Sequence, residues 1–175
     1  MKISVSSYSF SQKINSGEIS QLDCIVKAKE MGFDAIEIVG ILPHDGSSKE
    51  EYALHLREEC KRVDLPISNY TVGADFLYGS DGCLEAEIEQ VKKEVDIAVM
   101  LGAAGMRHDA TGGLRQEDRK YQGFDSVLPR LIAGCRAVTE YAASKGIRTM
   151  VENHGFFCQD SDRVEKLVNG VAHEN

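Results

Sequence analysis

Several features that announce a protein class are missing from this sequence. No cysteine pair is spaced C-x-x-C, no G-x-G-x-x-G follows the first strand-like segment, and no Walker sequence occurs anywhere. These absences count against a zinc knuckle, a dinucleotide site and a nucleotide-triphosphate site respectively. No apolar stretch approaches the length of a membrane span, and the start MKISVSSYSF carries neither the basic head nor the unbroken apolar run of a secretory signal. A basic face is also missing. The formal net charge is −8, with Lys and Arg interleaved among acids from Lys27 to Glu30 and from Glu89 to Glu94. Phosphate contacts supply most nucleic-acid affinity, so this balance argues against a nucleic-acid partner. The five cysteines are odd in number and scattered, a usage that fits small core residues in a reducing cytoplasm. Cys158, close to a strand end, is the exception to watch.

What remains is ordinary for a globular protein: 175 residues, 42% hydrophobic and 27% charged, enough for a single domain over 1–175 with a real core. One unit recurs along the chain, a helix with an apolar stripe, a short turn and a brief strand ending in polar residues. The strands read as Ile3–Ser6, Ala35–Ile38, Ile67–Tyr70, a weak Gly105–Arg107, and Arg148–Glu152. Helix stripes step by three and four: Ala53, Leu56, Cys60, Val63, then Leu84, Ile88, Val91, Val95, Ala98, then Val127, Leu131, Cys135, Val138. Ser48 with Glu51 forms a capping box, Asp125 is placed to cap the fourth helix, and Pro129 falls in that helix's first turn. Gly32, Gly102 and Gly146 each close a helix just before a strand, and a last helix runs from about Ser161 to Val168. Regular alternation of this kind means parallel strands joined by right-handed crossovers. Two architectures accept it: a parallel (β/α)8 TIM barrel of which these are the first five βα units, or an open flavodoxin-like doubly wound sheet.

Every strand finishes in groups able to hydrogen-bond, ionise or bind metal: Ser7-Tyr8-Ser9, Glu37, Asn69-Tyr70-Thr71, Arg107-His108-Asp109 and Glu152-Asn153-His154. In parallel α/β proteins ligands sit at these carboxyl ends. Glu152 ends an apolar strand, where a carboxylate needs compensation by a cation, a metal or hydrogen bonds. His154 lies two residues further, on the same face if the strand continues. The pair reads as a metal ligand or general base with a neighbouring imidazole, or else as a carboxylate paired structurally with Arg107 or Arg148. His108 divides between a pocket role and structural hydrogen bonding. His55 reads as surface, and His44 as a turn residue in a loop that follows strand two. His173 has no assigned role.

In order, the opening SVSSYSF, the block Met31-Gly32-Phe33-Asp34-Ala35-Ile36-Glu37-Ile38, and Val151-Glu152-Asn153-His154-Gly155 at the end of a fifth strand resemble the sugar isomerase/epimerase branch of the xylose-isomerase-like barrels. The resemblance runs over essentially the whole chain. It implies that Glu152 binds a divalent metal (Mn, Mg, Co or Zn) and takes part in proton transfer. Tyr8, Glu37, His108 and His154 then occupy positions that line the substrate pocket in that family. The family completes its metal site with Asp, His and Glu from strands six to eight, whereas this chain stops at Asn175. Its ketose 3-epimerases also carry an Asn-Arg and a Glu shortly after the strand-five glutamate, where this chain has Gly155-Phe156-Phe157-Cys158-Gln159.

The expectation is therefore an intracellular, cytoplasmic, metal-dependent isomerase or epimerase of a sugar or sugar phosphate, working by proton removal next to a carbonyl. A lyase or dehydratase, or a phosphodiesterase like the apurinic-site endonucleases, shares the same barrel; the latter uses more histidines, for which only His108 is suited. An inactive truncated fragment is the non-enzymatic alternative. An unclosed barrel exposes sheet edges, so a homo-oligomer is expected as well.

Overall fold

The computed structural model describes residues 1–155 and 157–175. Its strands are β1 (Ser4–Ser6), β2 (Ala35–Val39), β3 (Ile67–Val72), β4 (Gly105–His108) and β5 (Arg148–Met150). Its helices are α1 (Ser11–Asn15), α2 (Gln21–Glu30), α3 (Lys49–Arg62), α4 (Leu84–Leu101), α5 (Phe124–Ser144) and α6 (Ser161–Val171). The strands run parallel in the order β1-β2-β3-β4-β5. A flavodoxin-like sheet would reverse direction at a switch point between its first and third strands. Here the spatial order follows the sequence, which is the order of a barrel and leaves an incomplete one of five strands.

Local chemistry explains the boundaries. At α3 the Glu51 amide donates to Ser48 Oγ (3.2 Å) while the Ser48 amide donates to the Glu51 carboxylate (2.9 Å), the expected capping box. The same exchange, between Ser20 and Asp23, opens α2. Gly32, Gly102 and Gly146 take φ of +87°, +70° and +73°, a conformation that lets the helix stop and the next strand begin within two or three residues. Three expectations need correction. The fifth strand ends at Met150, two residues early, so Glu152 lies beyond it. Asp125 does not cap α5: that helix opens on Gly123, whose amide donates to Ser126 Oγ, while Asp125 pairs with Lys166 at 2.8 Å. Because α5 begins at Phe124, Pro129 sits past the first turn and leaves the Asp125 carbonyl without its usual i+4 donor.

The chain gathers into two compact units, residues 1–71 with 96–106, and residues 72–95 with 107–175. In the first, Cys24, Ile25 and Ala28 of α2 and Tyr52, Ala53 and Leu56 of α3 are fully buried, as are Ile36 and Ile38 of β2. Alternation then turns Ala35 and Glu37 to the opposite face of β2. A bulge in β3 sets Ile36 against Ile67 but Glu37 against Asn69. Ser68, the extra residue, meets Ser4 of β1 through their hydroxyls at 2.8 Å, across the intervening strand. Side chains two strands apart meet only if the sheet curls strongly, so barrel curvature is built into this unit.

In the second unit α5 packs against β5 and α6. Arg136 of α5 holds the end of α6 by donating to the carbonyls of Gly170 (2.7 Å) and Val171 (3.0 Å). Phe76 is fully buried and lies over Gly134 of α5, where an added Cβ would come within 2.4 Å of its ring. The Phe76 backbone is pinned by its amide to the Ala110 carbonyl (2.9 Å) and by Arg130 Nε to its own carbonyl (2.7 Å). The described residues contain no helix long and apolar enough to cross a membrane. All five cysteines are free thiols, and only Cys83 is exposed. Burial pushes the thiols of Cys24 up to about 11 and of Cys60 and Cys135 up to about 12.

Two outcomes follow from this packing. Gly134→Ala is expected to destabilise by about 1–3 kcal/mol, since neither the ring nor its backbone has room to move; urea unfolding measures it. A thiol reagent such as DTNB should label one cysteine in the native protein, none in Cys83→Ser, and all five after denaturation.

Candidate active site at the strand ends

Five expected site residues divide between the units. Tyr8 and Glu37 belong to the first; His108, Glu152 and His154 belong to the second. Tyr8 sits in a short 3-10 turn directly after β1 and is 70% exposed. Glu37 accepts from the Thr71 hydroxyl at 2.7 Å and, more distantly, from the Asn69 amide at 3.5 Å. These donors come from β3 because the bulge brings Asn69 opposite Glu37. The Asn69 Oδ1 is buried and has no hydrogen-bond partner among the described residues, so the first unit offers an acceptor here.

The second unit brings Glu152 and His154 together through two residues of the β4 end. Arg107 and Asp109 are two apart, so an extended chain turns both the same way. The Arg107 guanidinium, only 12% exposed, places Nη2 at 3.0 Å from Asp109 Oδ1 and Nε at 2.9 Å from Glu152 Oε2. The Nε contact is ionic: the N–H does not point along a hydrogen bond. Asp109 Oδ1 also lies 3.4 Å from His154 Nδ1. Glu152 and His154 themselves are 57% and 60% exposed. Of the two partners foreseen for Glu152, Arg107 is the one found beside it.

His108 turns the other way. It is buried, edge-on to Phe76 with ring centroids 6.0 Å apart, and Nδ1 is 2.9 Å from the Asp109 carbonyl. A carbonyl only accepts, so this contact places the ring proton on Nδ1. His108 also lines a cavity of about 300 Å³ with Cys135, Thr139, Thr149, Met150 and Leu167. His44 is held by Tyr52, Nδ1 to Oη 2.7 Å, and His55 is half-exposed beside Asp45. Cys158 is buried, and burial raises its thiol above the usual range.

The long irregular stretch 108–123 is tied down more firmly than its composition suggests. Thr111 donates to Asp75 Oδ1 (2.8 Å), which also accepts from the Leu77 and Tyr78 amides (3.0 and 3.2 Å). Tyr78 donates to Asp118, and Arg115 lies 4.3 Å from the Tyr78 ring centroid. Asp75 and Tyr78 were not foreseen from sequence, because their importance depends on which loops meet. Asp109 was legible only as a flanking charge.

The family pattern implies a divalent ion at Glu152, and the geometry around that carboxylate does not accommodate one. Among the described residues no three of His, Cys, Asp and Glu converge on one point. Glu152 has a guanidinium against its Oε2, where an ion would otherwise supply the positive charge. The residues present do not make up a metal site.

A parallel α/β barrel with its polar groups at the strand ends is thus the class that fold and site define. The model of the family described as xylose isomerase-like TIM barrel matches residues 25–175, and the chain belongs to that family. No curated protein matches the sequence. Among solved structures, the probable 3-DHS dehydratase AsbF of Bacillus anthracis is 22% identical over 100% of this chain and 61% of its own, with a TM-score of 0.69. D-psicose 3-epimerase, crystallised in the presence of D-fructose, is 17% identical over 100% and 61%, with a TM-score of 0.72. An L-ribulose 3-epimerase is 15% identical over 100% and 59%, with a TM-score of 0.71. At these identities the likeness establishes the fold. The chain spans about three-fifths of the length of these structures.

The buried imidazole of His108 yields a pH prediction. Desolvation dominates and holds its pKa below 6.5, against the smaller upward pull of the Asp109 carbonyl and carboxylate. As pH falls through 6.5 the unfolded chain takes up a proton that the native ring refuses, so stability falls with it. His108→Gln should flatten this acid-side loss by up to about 1.4 kcal/mol per pH unit. Urea unfolding of both proteins between pH 7.5 and 5 reads the difference.

Proposed function

We propose that the protein is an isomerase or epimerase of a small polyhydroxylated carbonyl compound, and that Glu152 transfers the proton at the carbon next to the carbonyl. The observation that carries this reading is the placement of Glu152. Its carboxylate is exposed enough to meet a substrate, yet held beside a largely enclosed guanidinium at the ends of parallel strands. That is where ligands bind in this architecture. The epimerases of D-psicose and L-ribulose among its structural relatives support a sugar as the substrate class.

Two carboxylates and one guanidinium leave the cluster with a formal excess of one negative charge. This favours an uncharged ketose over a phosphate ester. Proton removal at the α-carbon leaves an enediol-type species; return of the proton from Glu152 to the neighbouring carbon gives the isomer, whereas the epimer requires a second acid on the opposite face of the substrate. A divalent ion (Mn, Mg, Co or Zn) belongs to the proposal on family grounds only. Free, buried thiols support a reducing compartment such as the cytoplasm.

The test is deuterium wash-in from D2O into free ketopentoses and ketohexoses and their phosphate esters, with and without added Mn²⁺. Exchange next to the carbonyl is expected for wild type, and a fall of about 10²–10⁴-fold for Glu152→Gln. Equal exchange in both proteins, no exchange in either, or loss of water in place of exchange would sink the reading.

A further inference from the structure

We propose that Arg107 is the positioning residue of this site, binding Glu152, Asp109 and His154 into one relay whose fixed point is the largely enclosed guanidinium. The kinetic part of this inference rests on the proton-transfer reading above; the geometric part does not.

The relay runs from Glu152 Oε2 to Arg107 Nε (2.9 Å), from Arg107 Nη2 to Asp109 Oδ1 (3.0 Å), and from that same oxygen to His154 Nδ1 (3.4 Å). Exposure falls toward the centre: Glu152 57%, His154 60%, Asp109 28%, Arg107 12%. Its two ends reach solvent while its middle is enclosed. Arg107 is anchored in β4, but β5 has already ended at Met150, so among the described residues no ladder hydrogen bond holds the backbone of Glu152 or His154. The one backbone bond between those two is a turn, the His154 amide to the Glu152 carbonyl at 2.8 Å. Side-chain contacts must therefore order them, and fixing a glutamate side chain unaided costs about 1.5–2 kcal/mol of rotamer freedom.

Only a guanidinium fits this task. Nε and Nη2 share one edge of a rigid plane, and each faces a different carboxylate. Two carboxylates this close repel each other and stay adjacent only while the cation lies between them. A lysine, with a single charged point, can satisfy one of them at a time. The dependence is mutual, because a guanidinium this enclosed is costly without its anions. The Nε contact is ionic and off the N–H axis, so charge and not a directed hydrogen bond holds Glu152 in place.

The test compares Arg107→Met and Arg107→Lys with wild type and with Lys61→Met, a surface residue of the other unit paired with Glu58. Near-UV circular dichroism establishes folding, and Arg107→Lys serves if Arg107→Met fails to fold. The first readout is the His154 imidazole signal in ¹H–¹⁵N spectra, assigned with His154→Asn. Both Arg107 variants should shift it although neither touches His154, and Lys61→Met should not. The second readout is deuterium exchange: kcat should fall about 10–100-fold in both Arg107 variants with KM within about threefold, as for a misplaced group. Methylguanidinium should restore part of the rate to Arg107→Ala and none to Glu152→Gln. A His154 signal unchanged in the folded variants overturns the relay, as does a rate unchanged in them. If wild type exchanges no substrate, the functional reading falls and the His154 signal alone decides the relay.

Discussion

A cation enclosed between two carboxylates is the constraint on which the second unit's site depends. Nothing in the sheet itself orders the residues after Met150, because the strand stops there. Arg107 supplies that order from the neighbouring strand, and it is able to because β4 buries its stem while turning its charged edge toward Asp109 and Glu152. The low exposure of the guanidinium couples the three side chains, because each anion lost leaves the cation with one partner in place of two.

The barrel was legible in the sequence where local chemistry decides. Ser48 and Glu51 announced the start of α3 because a capping box is satisfied within four residues. Gly32, Gly102 and Gly146 announced helix ends because a positive φ suits glycine. Strand order was less accessible. Periodicity predicted five parallel strands but accommodated a sheet that reverses and one that does not; the Ser4–Ser68 contact and the sequential order separate them. The errors share a cause too. Asp125 looked like a cap because its type suits one, yet Lys166, forty-one residues away, engages it, and Ser126 serves the Gly123 amide. Arg148–Glu152 looked like one strand because the residues suit one, and only the ladder shows where pairing ceases.

The candidate site was legible as residue types and not as contacts. An acid at the end of an apolar segment signals that some compensation exists, which brought both Arg107 and Arg148 forward; choosing between them needs the register of two strands. Asp109 looked like a flanking charge, although it joins His154 to the guanidinium. His108 and its neighbours were adjacent in sequence, but alternation sends Arg107 and Asp109 one way and His108 the other, against Phe76. The metal expectation came from resemblance, and the described side chains place a guanidinium at the carboxylate where that resemblance places an ion.

The bulge in β3 has a consequence for how the concave side of such a sheet can be furnished. A regular strand lends the concave side every second residue and gives the rest to the helices. With Ser68 inserted, two successive polar residues reach inward, one to Ser4 and the next to Glu37. Polar groups are thus packed more densely along the concave side than strand length alone would permit, while Ile67 and Tyr70 on either side of them remain in the core. A single extra residue enriches the lining and leaves the hydrophobic layer beneath it undisturbed.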